Sequence, residues 1–183
     1  MNKRLQKRQS NFFNVCSKCA SGYSCCNDTT PPVTPERRRI IEAYLKDNDI
    51  STVNRFDQTD YVFPRLTAEG YCVFHSAETK KCSVHSVKPE TCVAGPITFD
   101  INAKTGKIEW FVKKESICPL ARNVYRNKQL LQKHLTSAKK ELLQLVAQLT
   151  PEEIKAILKK DEPETFKIDE DPLAEELLRK LNH

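Results

Sequence analysis

The chain predicts an α+β protein: a small cysteine-rich metal-binding domain containing a β-hairpin, followed by C-terminal helices. Three observations predict it. Cysteines gather in the first two thirds, at positions 16, 19, 25, 26, 72, 82, 92 and 118. Among them lies "PITFDINAKTGKIEWFVKK", two β-branched and aromatic runs around a glycine-containing turn. From Arg122 onward, leucines recur at helical spacing.

A chain of 183 residues has room for one domain with a real core plus extensions. Hydrophobic residues make up 39%, charged residues 30%, and four glycines occur, which excludes collagenous and disordered classes. The expected division is a basic arm at 1–13, the cysteine domain at 14–120, and a helical extension at 121–183. The net charge of +6 is uneven: Lys3, Arg4, Lys7 and Arg8 open the chain, whereas Asp161 to Glu176 sets eight carboxylates against Lys167. Four cations without an interleaved aromatic platform describe a solvated tail better than a nucleic-acid interface.

After the cysteine loop, Thr34-Pro35-Glu36 marks a helix start, with a capping hydroxyl followed by a proline that needs no donor. Ile40, Ile41, Tyr44 and Leu45 then form an expected apolar stripe opposite Arg37, Arg38 and Lys46. Short strands are expected around Tyr61 to Phe63. The hairpin follows, with Gly106 supplying the positive φ of its turn. One long helix is expected from Arg122 to Leu149, with Leu131, Leu135, Leu142, Leu145, Val146 and Leu149 on one face. Thr150 with Glu153 is a capping box that restarts a helix to about Lys160. An acidic linker and a last helix opening at Asp171-Pro172 complete the reading, its apolar residues being Leu173, Leu177, Leu178 and Leu181.

No stretch approaches the ~20 apolar residues that span a bilayer, and no secretory signal is legible. A reducing cytoplasm is the expected compartment, where eight cysteines are poorly explained by disulfides. Metal ligation leads instead. Cys16-x-x-Cys19 has the spacing at which a tight turn offers two thiolates to one ion, with Zn–S distances of ~2.3 Å. A thioredoxin-like pair shares that spacing but wants a strand before it and a helix directly after. Cys25-Cys26 is less usual. Neighbouring side chains point apart, so either one thiol is structural or the two reach different metals, as in a polynuclear or iron–sulfur site. Cys72-x-x-His75 and Cys82-x-x-His85 are two further half-sites, because imidazole suits both zinc and iron. His134 and His183 are expected to lie outside the ligand set. Eight thiols and two imidazoles exceed one four-coordinate zinc, leaving two zinc sites, one zinc with spare cysteines, or iron–sulfur chemistry. A structural metal contributes on the order of 10 kcal/mol to folding.

The CxxC, the doublet, the intervening helix, and then Cys72, Phe74, Cys82, Pro89, Cys92 and Pro96 resemble the YkgJ-type cysteine-cluster family of zinc- or iron-chelating domains. The resemblance runs over roughly residues 14 to 120. It departs in the longer "ASGYS" gap, in His85 where an aromatic residue is common, and in Lys88 and Val93 where arginines are common. It implies Cys118 as a further ligand, since a late cysteine followed by proline recurs in the family. A related cluster in flagellin lysine methylases accompanies methyl transfer. Here no glycine-rich loop follows a strand to hold a methyl donor.

The function expected is therefore a cytoplasmic metalloprotein whose cysteines bind an iron–sulfur cluster, for electron transfer or a metal-dependent modification. The surplus of thiols and the doublet favour iron over zinc. The alternative is a structural zinc module that mediates protein interaction. A protein or redox partner is expected; nucleic acid and membrane insertion are not. The sequence identifies no catalytic residue.

Overall fold

The computed structural model describes residues 25–160 and 164–182, with six helices and five strands among them. The fold is α+β, as the sequence predicts. Cys16, Cys19 and the basic arm lie outside the described residues.

Helix α1 (Pro35–Asp47) starts where its cap places it, with the Thr34 hydroxyl accepting from the Arg37 amide at 3.1 Å. It buries Ile41 and Leu45, while Ile40 is 42% exposed. The expected stripe thus loses only Ile40, which sits ~100° around the helix from Ile41, while Tyr44 packs against the same core as Ile41 and Leu45. Strands β1 (Phe56–Gln58) and β2 (Val62–Pro64) pair antiparallel and lead into the Cys72 to His85 region. Val33, Ile41, Leu45, Cys72, Phe74 and Val84 form a small core there, with Cys26 and Cys82 packed against it.

Helix α2 (Glu90–Ala94) carries Cys92 and ends just before β3 (Ile97–Asn102). β3 and β4 (Lys107–Lys113) form the predicted hairpin, in register from Ile97 opposite Val112 to Asn102 opposite Lys107. Gly106 takes a φ of 63°, and a Cβ there would stand 3.4 Å from Leu178. The position therefore wants glycine for its backbone conformation and leaves little room beside the last helix.

The expected long helix is two: α3 (Pro119–Arg126) and α4 (Lys128–Gln148). Asn127 is extended between them, and its side chain accepts from the Leu130 amide at 3.0 Å, so a capping residue resets the helix. The Thr150 and Glu153 capping box opens α5 (Pro151–Leu158) as predicted.

The acidic stretch expected as a linker is instead strand β5 (Thr165–Pro172), the third strand of the hairpin's sheet, paired antiparallel with β4. Its charge is matched by lysines. Lys107 and Lys167 both pair with Glu170, and Lys139 of α4 bridges Asp169 and Asp171 at 2.7 and 2.6 Å. Local carboxylate density reads as linker in sequence, but cross-strand and helix-borne cations make it a strand. The last helix, α6 (Glu175–Asn182), begins later than expected. A single core of hairpin residues with Leu135, Leu142, Leu145, Val146, Ile154, Leu173 and Leu177 joins the sheet to the C-terminal helices. Among the described residues, no helix is long and apolar enough to cross a membrane.

Candidate metal centre

The described residues include six cysteines, Cys25, Cys26, Cys72, Cys82, Cys92 and Cys118, none joined to another of the six by a disulfide. Backbone pairing brings their segments together. The Cys72 amide donates to the Cys26 carbonyl at 2.7 Å, and the Asp28 amide donates to the Gly70 carbonyl at 2.8 Å. Each Cys-x-x-His closes a tight turn, with the His75 amide donating to the Cys72 carbonyl at 2.8 Å and the His85 amide to the Cys82 carbonyl at 3.2 Å. The two turns then pair through a bridge between His75 and Cys82. Identical spacing has produced identical local geometry, set side by side.

The doublet departs from expectation in one respect. Adjacent side chains were expected to point apart, yet Cys26 acts on its neighbour: its thiol, first as a hydrogen-bonding partner and then by charge, holds the Cys25 thiol far above its ordinary range. Burial pushes Cys72 up to about 11, with the charges of Cys82 and Cys25 adding to the rise and the Phe74 backbone opposing it. Burial also raises Cys92 strongly, with Cys25, Cys82 and Cys72 adding to it. Each thiol makes its neighbour's ionisation costlier, which is the signature of like charges brought close. Cys25, Cys26, Cys72, Cys82 and Cys92 therefore form one connected set from three chain segments.

Among the described residues, no three or more His, Cys, Asp or Glu side chains stand as a ready metal cage. What the described residues supply is the donor chemistry. Raised thiols are relieved by a cation that replaces their protons, and the Phe74 backbone beside Cys72 favours its thiolate form, as the outer support of a ligating sulfur does. Zinc or an iron core fits these residues.

His75 stacks on Tyr71, ring centres 4.9 Å apart, and burial lowers its pKa, with Lys80 assisting. His85 is pushed down to about 4, first by burial and then by Lys88. Both imidazoles are neutral at physiological pH, the form in which they ligate. Cys118 lies half-buried between β4 and α3, as the residue preceding Pro119. His134, expected outside the site, is buried on α4, and burial followed by Lys88 pushes it down to about 4.

Sequence reasoning missed the support around Cys92. The Thr34 hydroxyl, read only as a helix cap, also donates to Glu90 Oε1 at 2.6 Å in the buried interior. Arg37 donates to the Lys88 carbonyl at 3.2 Å and to Glu141 at 2.7 Å, and its Nε stands 3.8 Å from Glu90. The one available signal was the Thr-Pro-Glu-Arg start itself, whose second function depends on residues more than fifty positions away.

A similar sequence is the uncharacterized protein MJ0661 of Methanocaldococcus jannaschii, 29% identical over 105 residues, which are 54% of this chain and 54% of that protein. The chain thus spans about half the length of that relative. No solved structure matches it. The CxxCxxCC family, described as "Putative zinc- or iron-chelating domain", matches residues 15–119. That match covers more than half of the chain and takes in every cysteine segment joined above, so the chain belongs to the CxxCxxCC family of zinc- or iron-chelating domains.

Proposed function

We propose that the chain holds an iron–sulfur centre through a subset of Cys16, Cys19, Cys25, Cys26, Cys72, Cys82, Cys92 and Cys118, and works in electron transfer or a metal-dependent modification reaction within a reducing compartment. One observation carries the reading. Backbone pairing joins the Cys25-Cys26 doublet to Cys72 and the Cys72 turn to Cys82, and the charges of Cys25, Cys72 and Cys82 reach Cys92 as well, which makes five thiols, more than one tetrahedral zinc takes. When bound, such a centre supplies one-electron exchange at a potential set by its sulfur hydrogen bonds and exposure.

The protein's own residues supply the rest. The Phe74 backbone favours the thiolate form of Cys72. Val33, Phe74 and Val84 wall the cysteines from water on one side, while Cys25 is exposed on the other. An exposed thiol at the rim of a buried set suits contact with a redox partner protein. Anaerobic purification followed by visible spectroscopy before and after dithionite tests this. Absorption that bleaches on reduction and returns in air supports the reading; a colourless protein unaffected by dithionite rejects it in favour of structural zinc.

A further inference from the structure

Resting on the metal-binding reading above, we propose that Glu90 is the positioning residue of Cys92: its clamped side chain fixes the orientation in which α2 presents that sulfur to the other cysteine segments. α2 is a single turn of five residues, with Pro89 before it and Gly95 after it, and no side chain caps its start. So short a helix cannot hold its own shape or direction, which must therefore come from its contacts. Glu90 and Ala94 stand four positions apart on one face, and each is 1% exposed. Cys92, two positions from either, is turned ~200° around the axis and lies on the opposite face. α2 is thus a spacer with an anchored face and a ligand face.

Different chemistry holds the two ends of the anchored face. Ala94 belongs to the apolar core that α4 builds with the hairpin. Glu90 Oε1 instead accepts from the Thr34 hydroxyl at 2.6 Å and stands 3.8 Å from Arg37 Nε, both at the start of α1. The clamp is itself braced: the Thr34 oxygen accepts from the Arg37 amide at 3.1 Å, and the Arg37 guanidinium donates to Glu141 of α4 at 2.7 Å. An apolar side chain would fill position 90 with less desolvation, because a buried ion pair contributes little net stability. What directed hydrogen bonds add, and apolar contact does not, is one defined orientation. Here that orientation is handed on to Cys92.

The test follows metal loss from the loaded protein to a chelator by elemental analysis, beside urea unfolding of the same variants. Glu90→Met removes the acceptor at similar size and should lose metal on the order of tenfold faster. Glu90→Gln keeps an oxygen for Thr34 and should behave close to native. Leu142→Ala, in the other core, should lose more stability than Glu90→Met yet hold its metal as native protein does. A residue that merely stabilises the fold would not separate those two readouts. Should Glu90→Met fail to fold, seen by Trp110 fluorescence, Thr34→Val removes the same bond from the α1 side and should also lose metal faster, with Thr34→Ser restoring native retention. Metal loss that tracks unfolding free energy on one line through all variants, or Glu90→Met that keeps metal as long as native protein, overturns the proposal alone. Native protein without metal overturns it together with the metal-binding reading.

Discussion

The amide of Cys72 donates to the carbonyl of Cys26 across 2.7 Å, so the cysteine doublet and the first Cys-x-x-His turn are one backbone unit. Forty-five residues of intervening chain, with α1 and the β1–β2 pair, are closed by that contact. Replacing either thiol leaves the backbone joint intact and removes only a donor. Cys72→Ser should therefore stay folded while its metal affinity falls by on the order of 10–100-fold, a loss comparable with damage to a ligand's outer support or worse. Competition against a chelator, with metal counted per chain, checks it.

Thr34 serves two elements at once, capping α1 and donating to the buried carboxyl of Glu90. Thr34→Val keeps the shape and deletes both bonds. The cap is worth ~1 kcal/mol and a buried acceptor left without its donor costs ~1–3 kcal/mol. Urea unfolding should show a loss of about 2 kcal/mol or more, and Thr34→Ser should restore most of it.

Local features were legible in the sequence wherever one short stretch decided them. The Thr34 and Thr150 caps, the 97–113 hairpin with Gly106, and the two Cys-x-x-His turns all depend on residues within a few positions of each other. What the sequence hid depends on distant partners. β5 looked like an acidic linker because Lys107, Lys139 and the hairpin edge that neutralise it are far away in sequence. Nothing local marked Glu90 for burial, because Thr34 and Arg37, which make that burial tolerable, come from another helix. The break at Asn127 was obscured because no proline or glycine stands near it to mark a helix boundary. The interaction within the doublet ran against the rule that adjacent side chains diverge.

Asp171 joins three elements, accepting from Trp110 Nε1 at 2.6 Å and pairing with Lys139, whose hydrogen bond is the main cause holding the Asp171 carboxyl below its ordinary range. A carboxyl depressed in the folded state binds fewer protons there than in the unfolded chain. Its contribution is therefore complete above the ordinary aspartate range and disappears as pH falls through the lowered value. The side chain is more than a third exposed, so the contribution is under about 1 kcal/mol. Denaturation of native protein and Asp171→Asn should differ at neutral pH and converge in acid.

Leu142 is fully buried where α4 meets the sheet. Leu142→Ala should cost ~2–5 kcal/mol. Trp110, the single tryptophan, lies in the same core. Its fluorescence and the helical circular dichroism should fall together, since the C-terminal helices and the hairpin share apolar contacts. Separate transitions would show that they unfold independently.

The central claim, that the gathered thiols hold an iron–sulfur centre, is tested most directly by measuring iron, zinc and acid-labile sulfide per chain on one anaerobically purified sample. The account predicts iron together with sulfide. Zinc without sulfide, or no metal at all, contradicts it.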